Sequence, residues 1–420
     1  MPTPAALRPL RSRAFALVWG SAMVSNIGSW MQTVAVGLLV TTRTGQAGWA
    51  GLVAAAGFVP IGLLSPVGGA LADRVPIRRW LLATTLGETA LAAVLAAVVA
   101  AGRPGPGLVT LLVLGGGCVQ ALGIPGFQAL VPQLVGADDL RAAISLNSAQ
   151  FNLGRVVGPL LAGVTVVAGG YAWAFAVNAA SFAAVLVALL VLRLPPAPLP
   201  ADAGVGLVER LAVGARAVRD IAPARAAVSL VSLLALTASP FIALVPAMAT
   251  KVLHDGAAGT SALVTAQGVG AVTGALALPA IAARLGARRA LALDVAVLCV
   301  ALAGYGLAPS LAAACVALAV VGAAYIGVLA GCSTAIQLSA PDGLRGRMLG
   351  INLMALGLLY PLGAVVQGRL ADIVGLRLVT AGGAAVLAVV VAVTGRRLLA
   401  DPPAAPALAE VVAVPEPPEA

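Results

Sequence analysis

A short charged turn, Gly68-Gly69-Ala70-Leu71-Ala72-Asp73-Arg74-Val75-Pro76-Ile77-Arg78-Arg79, separates two long apolar runs. Its pattern returns as Ile281-Ala282-Ala283-Arg284-Leu285-Gly286-Ala287-Arg288-Arg289, which sets Arg74, Arg78 and Arg79 over Arg284, Arg288 and Arg289 at a constant offset of 210. A second pair, Asp138-Asp139-Leu140-Arg141 and Asp342-Gly343-Leu344-Arg345, repeats at an offset of 204. Polar turns that recur once per half-chain, each between membrane-length segments, restrict the fold to a duplicated polytopic membrane protein.

Composition agrees. The chain is 61% hydrophobic and 10% charged, with a mean hydropathy of +1.04, whereas soluble domains carry roughly 25% charged residues. A spanning helix needs ~20 mostly apolar residues. Twelve such segments are expected, at 15–40, 47–72, 80–101, 107–131, 144–168 and 172–193 in the first half, and 226–250, 260–283, 290–307, 309–334, 348–371 and 376–398 in the second. The expected class is an all-α membrane protein of two pseudo-symmetric six-helix halves. With the N-terminus inside, nineteen basic residues face the cytoplasm against five outside, a decisive asymmetry that also places the C-terminus inside. The basic start, through Arg8, Arg11 and Arg13, leads into a first spanning helix and not a cleaved signal.

The chain divides into a six-helix half at 1–193, a cytoplasmic linker at 194–225, a second half at 226–400 and a tail at 401–420. The linker opens Pro-rich and continues as an amphipathic helix carrying Glu209, Arg210, Arg216, Arg219 and Asp220. The Pro-rich tail cannot pack a core and is expected to be disordered.

The net charge of +10 does not imply nucleic acid, because the basic residues sit in short turns and not on one face. Cys118, Cys299, Cys315 and Cys332 all lie inside apolar runs and read as packing residues, and His254 is the only histidine. No metal site and no cofactor is expected. Neither a nucleophile–base pair nor a phosphate loop of the Gly-x-x-x-x-Gly-Lys kind occurs, so the chain is not read as an enzyme or as driven directly by ATP.

The residues now resemble the major facilitator superfamily. Gly69-x-Leu71-Ala72-Asp73-Arg74 with Arg78 and Leu81 is similar to that family's loop between spans 2 and 3, departing at Pro76 and Ile77. Phe15-Ala16-Leu17-Val18-Trp19, Ser25-Asn26-Ile27-Gly28-Ser29-Trp30-Met31-Gln32, and Gly126 to Val135 resemble the branch holding the bacterial enterobactin exporter and macrolide-efflux proteins. So does Asn152-Leu153-Gly154-Arg155-Val156-Val157-Gly158-Pro159-Leu160-Leu161-Ala162-Gly163. Within it, Gly154, Gly158, Pro159 and Gly163 are similar to the family's antiporter motif. The resemblance implies proton-driven export of amphipathic organic molecules, such as siderophores, antibiotics or other metabolites, by a multi-pass monomer in the plasma membrane. It also implies a cytoplasmic latch formed by Gly69, Asp73, Arg74, Arg78, Arg79, Arg284 and Arg288, with Asp73 meeting the N-terminus of the eleventh span. A lysophospholipid flippase and a non-transporting sensor are the competing readings.

Ionisable groups inside a span default to functional candidates. Glu88 in the third span and Asp294 in the ninth are candidates for a coupling proton. Arg155, midway along the fifth, is a candidate to neutralise an anionic group, to pair with a carboxylate, or to tether polar neighbours such as Asn147, Gln150 and Asn152. In the architecture that the resemblance implies, spans 1, 4, 7 and 10 line a cavity with Asn26, Trp30, Gln32, Gln120, Thr237, Ser239, Tyr325, Ser333 and Thr334. Spans 2, 5, 8 and 11 add Phe58, Phe151, Gln267 and Tyr360. An apolar cavity with a few amides and aromatics suits an amphipathic ligand better than a sugar or a metal ion. One further stretch, Gly368-Arg369-Leu370-Ala371-Asp372, imitates the span 2–3 loop, but the helix count puts it outside; it reads as chance or as a packing motif.

Overall fold

A computed structural model describes residues 5–72, 74–192, 207–341 and 344–398. Asp73, Asp342, Gly343 and the expected disordered tail lie outside the described residues. The helices are α1 (Arg13–Thr44), α2 (Ala47–Ala72), α3 (Ile77–Ala100), α4 (Pro106–Leu134), α5 (Leu140–Val191), α6 (Leu207–Asp220), α7 (Ala222–Thr237), α8 (Phe241–Ala247), α9 (Gly256–Leu285), α10 (Ala287–Leu307), α11 (Leu311–Ser339), α12 (Arg345–Val374) and α13 (Leu376–Leu398).

Two of these need dividing or joining before they match membrane spans. The 52 residues of α5 would extend about 78 Å at ~1.5 Å per residue, more than twice the ~30 Å hydrocarbon core. The run breaks at Gly170, whose φ of 79° and ψ of 179° are non-helical and favour glycine, so it supplies the fifth and sixth spans. Conversely, α7, α8 and a π-turn over Met248–Val252 form one interrupted seventh span. Twelve spans result among the described residues. Several run further toward the cytoplasm than hydropathy predicts, α11 reaching Ser339 beyond the expected 334, because polar residues can continue a helix past the hydrocarbon edge.

Local chemistry sets the ends. Ser12 caps α1 by accepting from the Phe15 N–H at 3.3 Å, while its hydroxyl donates to the Leu134 carbonyl at 2.9 Å and ties α1 to the end of α4. Gly45, with φ of 65°, closes α1 in the left-handed conformation and turns the chain into α2.

Small residues let the helices approach, as expected where packing replaces the hydrophobic effect. In the first half Gly117 of α4 lies against the Gly57 carbonyl of α2; in the second Gly322 of α11 lies against the Gln267 carbonyl of α9. The two contacts are equivalents at nearly the same offset that the charged turns show. Between the halves, α2 packs on α12 and α5 on α9, with α1 touching α8 and α9. The amphipathic α6 rests on the start of α12, Gly214 facing the backbone of Arg347. Large apolar side chains such as Leu111, Val167, Val300 and Ile373 point outward, Ile373 82% exposed, which suits lipid and not water.

Candidate functional site

Five side chains converge midway along their helices. Arg155 of α5 is 9% exposed, and its guanidinium lies over the Trp30 ring of α1 at 5.8 Å from the centroid. Trp30 meets Phe151 edge-on at 5.7 Å. Tyr325 of α11 and Tyr360 of α12, both from the second half, stand within electrostatic range of Arg155. Tyr360 in turn meets Phe58 of α2 edge-on at 5.2 Å. The cluster thus joins both halves at mid-membrane.

The arginine has no acidic partner among the described residues. The ion pairs Arg8–Asp139, Arg219–Asp220 and Lys251–Asp372 all lie at helix ends. Of the expected tethers Asn147, Gln150 and Asn152, Asn152 is engaged elsewhere, donating to the Ser148 carbonyl at 2.8 Å, and Asn26 of α1 donates to the backbone carbonyls of Gln150 and Phe151 at 3.2 and 3.3 Å. A cation over one aromatic face gains about 0.5–2 kcal/mol, less than the several kcal/mol that removing an ion from water costs. The charge is therefore under-compensated by protein.

The remaining candidates lie on several helices, some at this centre and some away from it. Gly154 abuts Asn26 and Gly158 abuts Trp30, so two of the motif glycines seat α5 on α1; Gly163 faces Ser261 of α9 across the halves. Pro159 lies inside α5, one turn past Arg155. Gln32 accepts from Asn178 at 2.9 Å within the first half. Gln120 is partly buried on α4. Gln267 is buried, its Nε2 without a hydrogen-bond partner. Glu88 lies on α3, which packs on α4 and α5 of its own half. Asp294 lies two turns into α10 with one oxygen buried and unpartnered, its carboxyl filling the space beside Gly327 of α11.

The seventh span breaks next to the cluster. Ser239, within the break, shares a 3.0 Å hydrogen bond with Tyr325. The carbonyls of Leu236 and Thr237, freed where α7 ends, both accept from Gln367 Nε2 of α12, at 2.9 and 2.8 Å. Gln367 is absent from the sequence candidates, because nothing local marks a glutamine as the partner of a break 130 residues away.

The outer ends of the halves are sealed. Asp372 accepts from the Ala47 and Gly48 N–H groups at the start of α2, at 2.7 and 2.8 Å, and pairs with Lys251 at 3.5 Å. Below it Gly51 meets the Ala364 carbonyl, Gly62 meets Leu358, and the Phe58–Tyr360 pair closes the seam. Toward the cytoplasm the walls part. Phe151 is 53% exposed, with Ile144 exposed two turns below it on the same face, and Leu353, two turns below Tyr360, is 66% exposed. The contacts between the halves thus lie at the Arg155 cluster and on its outer side, and the side chains on its cytoplasmic side are exposed.

At the cytoplasmic loops, Gly69 lies near Pro125, and Arg74, Arg284 and Arg288 are exposed. Arg79 opens α3. Arg78 donates to the carbonyls of Leu189 and Leu190, at 2.6 and 2.5 Å, and so ties the start of the third span to the end of the sixth. Asp73, the acid of the expected latch, lies outside the described residues.

Comparison with known proteins places this architecture. The chain is 28% identical over 368 residues to the multidrug efflux pump Tap of Mycolicibacterium fortuitum, covering 86% of this chain and 90% of that one. It is 31% identical over 194 residues to the enterobactin exporter EntS of Salmonella typhi, a match that spans 45% of this chain and about half of that protein, 46%. A solved bacterial homolog of the human lysosomal transporter Spinster, in its inward-facing and unoccupied conformation, superposes with a TM-score of 0.71 at 15% identity, over 97% of this chain and 100% of that one. A family model described as "Transmembrane secretion effector" matches residues 4–417, and the chain belongs to that family, a multi-pass branch of the major facilitator superfamily of secondary transporters.

Proposed function

We propose that the protein exports amphipathic organic molecules from the cytoplasm by alternating access, in exchange for protons. The observation that carries this reading is the centre itself: one arginine and a set of aromatic rings drawn from both halves at mid-membrane, with the halves in contact on the outer side and exposed apolar side chains on the cytoplasmic side. A ligand entering from the cytoplasm reaches the seam on which the halves rock. The names of the relatives, a multidrug efflux pump and an enterobactin exporter, support the direction and the amphipathic class. Asp294 is the carboxyl positioned to exchange the coupling proton, since it packs directly on the helix that carries Tyr325.

The test is transport by purified protein in proteoliposomes of uniform orientation, with a panel of amphipathic dyes of either charge. At least one dye is expected to move faster than in protein-free vesicles and to slow when nigericin collapses an imposed pH gradient. No movement of any dye overturns the transport reading; movement indifferent to nigericin overturns the proton coupling alone.

A further inference from the structure

We propose that the central site selects planar aromatic acids, holding the anionic group on Arg155 and the ring among Trp30, Phe151 and Tyr360. The inference deepens the export reading and rests on it, because it supposes that the ligand reaches the Arg155 cluster.

The argument starts from charge. Arg155 is buried at mid-membrane, has no ion pair and makes no hydrogen bond among the described residues, and Trp30 covers one of its faces. While the halves are apart on the cytoplasmic side, water can reach the small exposed part of the guanidinium. Alternating access requires the halves to close over this point, and closure removes that water. The two acids inside spans are elsewhere: Glu88 on α3, and Asp294 against Gly327 of α11. A cationic ligand would then place two like charges in one dry site, whereas an anionic one would neutralise the site as it closes. Charge balance thus couples closure to the sign of the ligand.

The residue type and its surroundings narrow the class further. A guanidinium is planar and offers parallel N–H donors that match a carboxylate, or two oxygens of a sulfonate, in two-point contact. The rings around it present both faces and edges: Trp30 and Phe151 at 72°, Phe58 and Tyr360 at 82°. Rings in these orientations can stack on or meet edge-on a further flat ring. The exposed flank of Phe151 supplies the approach from the cytoplasm.

The experiment uses three probes that stay charged at all working pH values: 2-naphthalenesulfonate, (2-naphthyl)trimethylammonium and cyclohexanesulfonate. Binding to the full-length purified protein is measured by calorimetry. The naphthalenesulfonate is expected to bind at least tenfold more tightly than either other probe. Arg155→Gln is expected to lose at least tenfold in affinity for it, Arg155→Lys to lose less, and Trp30→Leu to erase the preference for the aromatic over the cyclohexyl acid. Each variant is first checked for an unchanged elution profile and melting temperature, and Trp30→Leu keeps the test open if Arg155→Gln does not fold. Tighter binding of the cation, or unchanged sulfonate affinity in folded Arg155→Gln, overturns the acid selectivity while leaving export intact. If no probe binds yet dyes of the panel are transported, the acid selectivity alone falls. If no probe binds and no dye moves, both readings fall.

Discussion

The carboxylate of Asp372 accepts the backbone N–H of Ala47 at 2.7 Å, and the two residues belong to opposite halves of the protein. With the Gly48 N–H at 2.8 Å and Lys251 at 3.5 Å, this acid caps the N-terminus of α2 from the outer end of α12. A helix N-terminus carries unsatisfied donors and partial positive charge, so an acid is the fitting partner. The contact exists only while the outer side is closed. Asp372→Ala is therefore expected to shift the protein toward the outward-open state. Charged hydrogen bonds contribute about 1.5–3 kcal/mol each in net terms, which corresponds to a shift of at least ~tenfold in the ratio of states. Spin labels at Arg43 and Arg377, in a background lacking the four cysteines, should report a longer distance between the outer ends of α1 and α13. Gly51→Leu should act in the same direction, because any side chain there runs into the Ala364 carbonyl.

The same seal marks where the sequence is readable and where it is not. Spans, halves and orientation follow from hydropathy, charge placement and the internal repeat, because membrane insertion acts on local composition. The central residues Arg155, Trp30, Phe151, Tyr325 and Tyr360 are also visible, since polar and aromatic groups stand out against an apolar chain. Partnerships across the fold are not. Gly368-Arg369-Leu370-Ala371-Asp372 looks like a misplaced copy of the cytoplasmic loop until α2 is seen beneath it. The partners of Gln32 and Asn26, Asn178 and the Gln150 and Phe151 carbonyls, are equally unmarked in the sequence. Such pairings depend on tertiary register, which no spacing in one chain encodes.

The arginines of the first cytoplasmic loop should separate by function. Arg78 binds two carbonyls at the end of the sixth span, a role within one half. Arg78→Ala is expected to lower stability by about 2–4 kcal/mol, given two hydrogen bonds from a charged donor that are partly exposed. A drop in melting temperature in a fixed detergent checks this. Asp73→Asn is expected to impair transport with expression largely intact, by resemblance to the family's latch. Wild-type transport rates in that variant would exclude the latch.

Asp294 fills the space beside Gly327, with one oxygen buried and no hydrogen-bond partner. Asp294→Asn keeps the volume and removes the exchangeable proton. Equilibrium binding of a transported dye should survive in this variant, while uptake driven by a pH gradient falls by at least tenfold and downhill exchange persists. Nigericin should then have no further effect. Glu88→Gln, on the peripheral α3, serves as the comparison; loss of gradient dependence there and not at Asp294 would move the coupling proton to the third span.

Gln367 offers the most direct test of the broken seventh span. The chain leaves helical geometry after Thr237, which frees the carbonyls of Leu236 and Thr237 inside the protein, and the amide of Gln367 satisfies both. A buried carbonyl left without a donor costs about 1–3 kcal/mol, so Gln367→Leu, similar in size, should destabilise by about 2–6 kcal/mol if the break persists. The chain has an alternative, which is to straighten the span; this recovers the Thr237 bond through the Phe241 N–H but not the Leu236 bond, because the residue four past Leu236 is Pro240, which has no N–H. Straightening would move Ser239 away from Tyr325, whose 3.0 Å hydrogen bond depends on the break. The two outcomes separate in a double-mutant cycle of Gln367→Leu with Tyr325→Phe, measured by thermal unfolding. Additive losses mean that the break survives without its cap. A loss for Tyr325→Phe that vanishes in the Gln367→Leu background means that the span has straightened, and transport should then fail even where the variant remains folded.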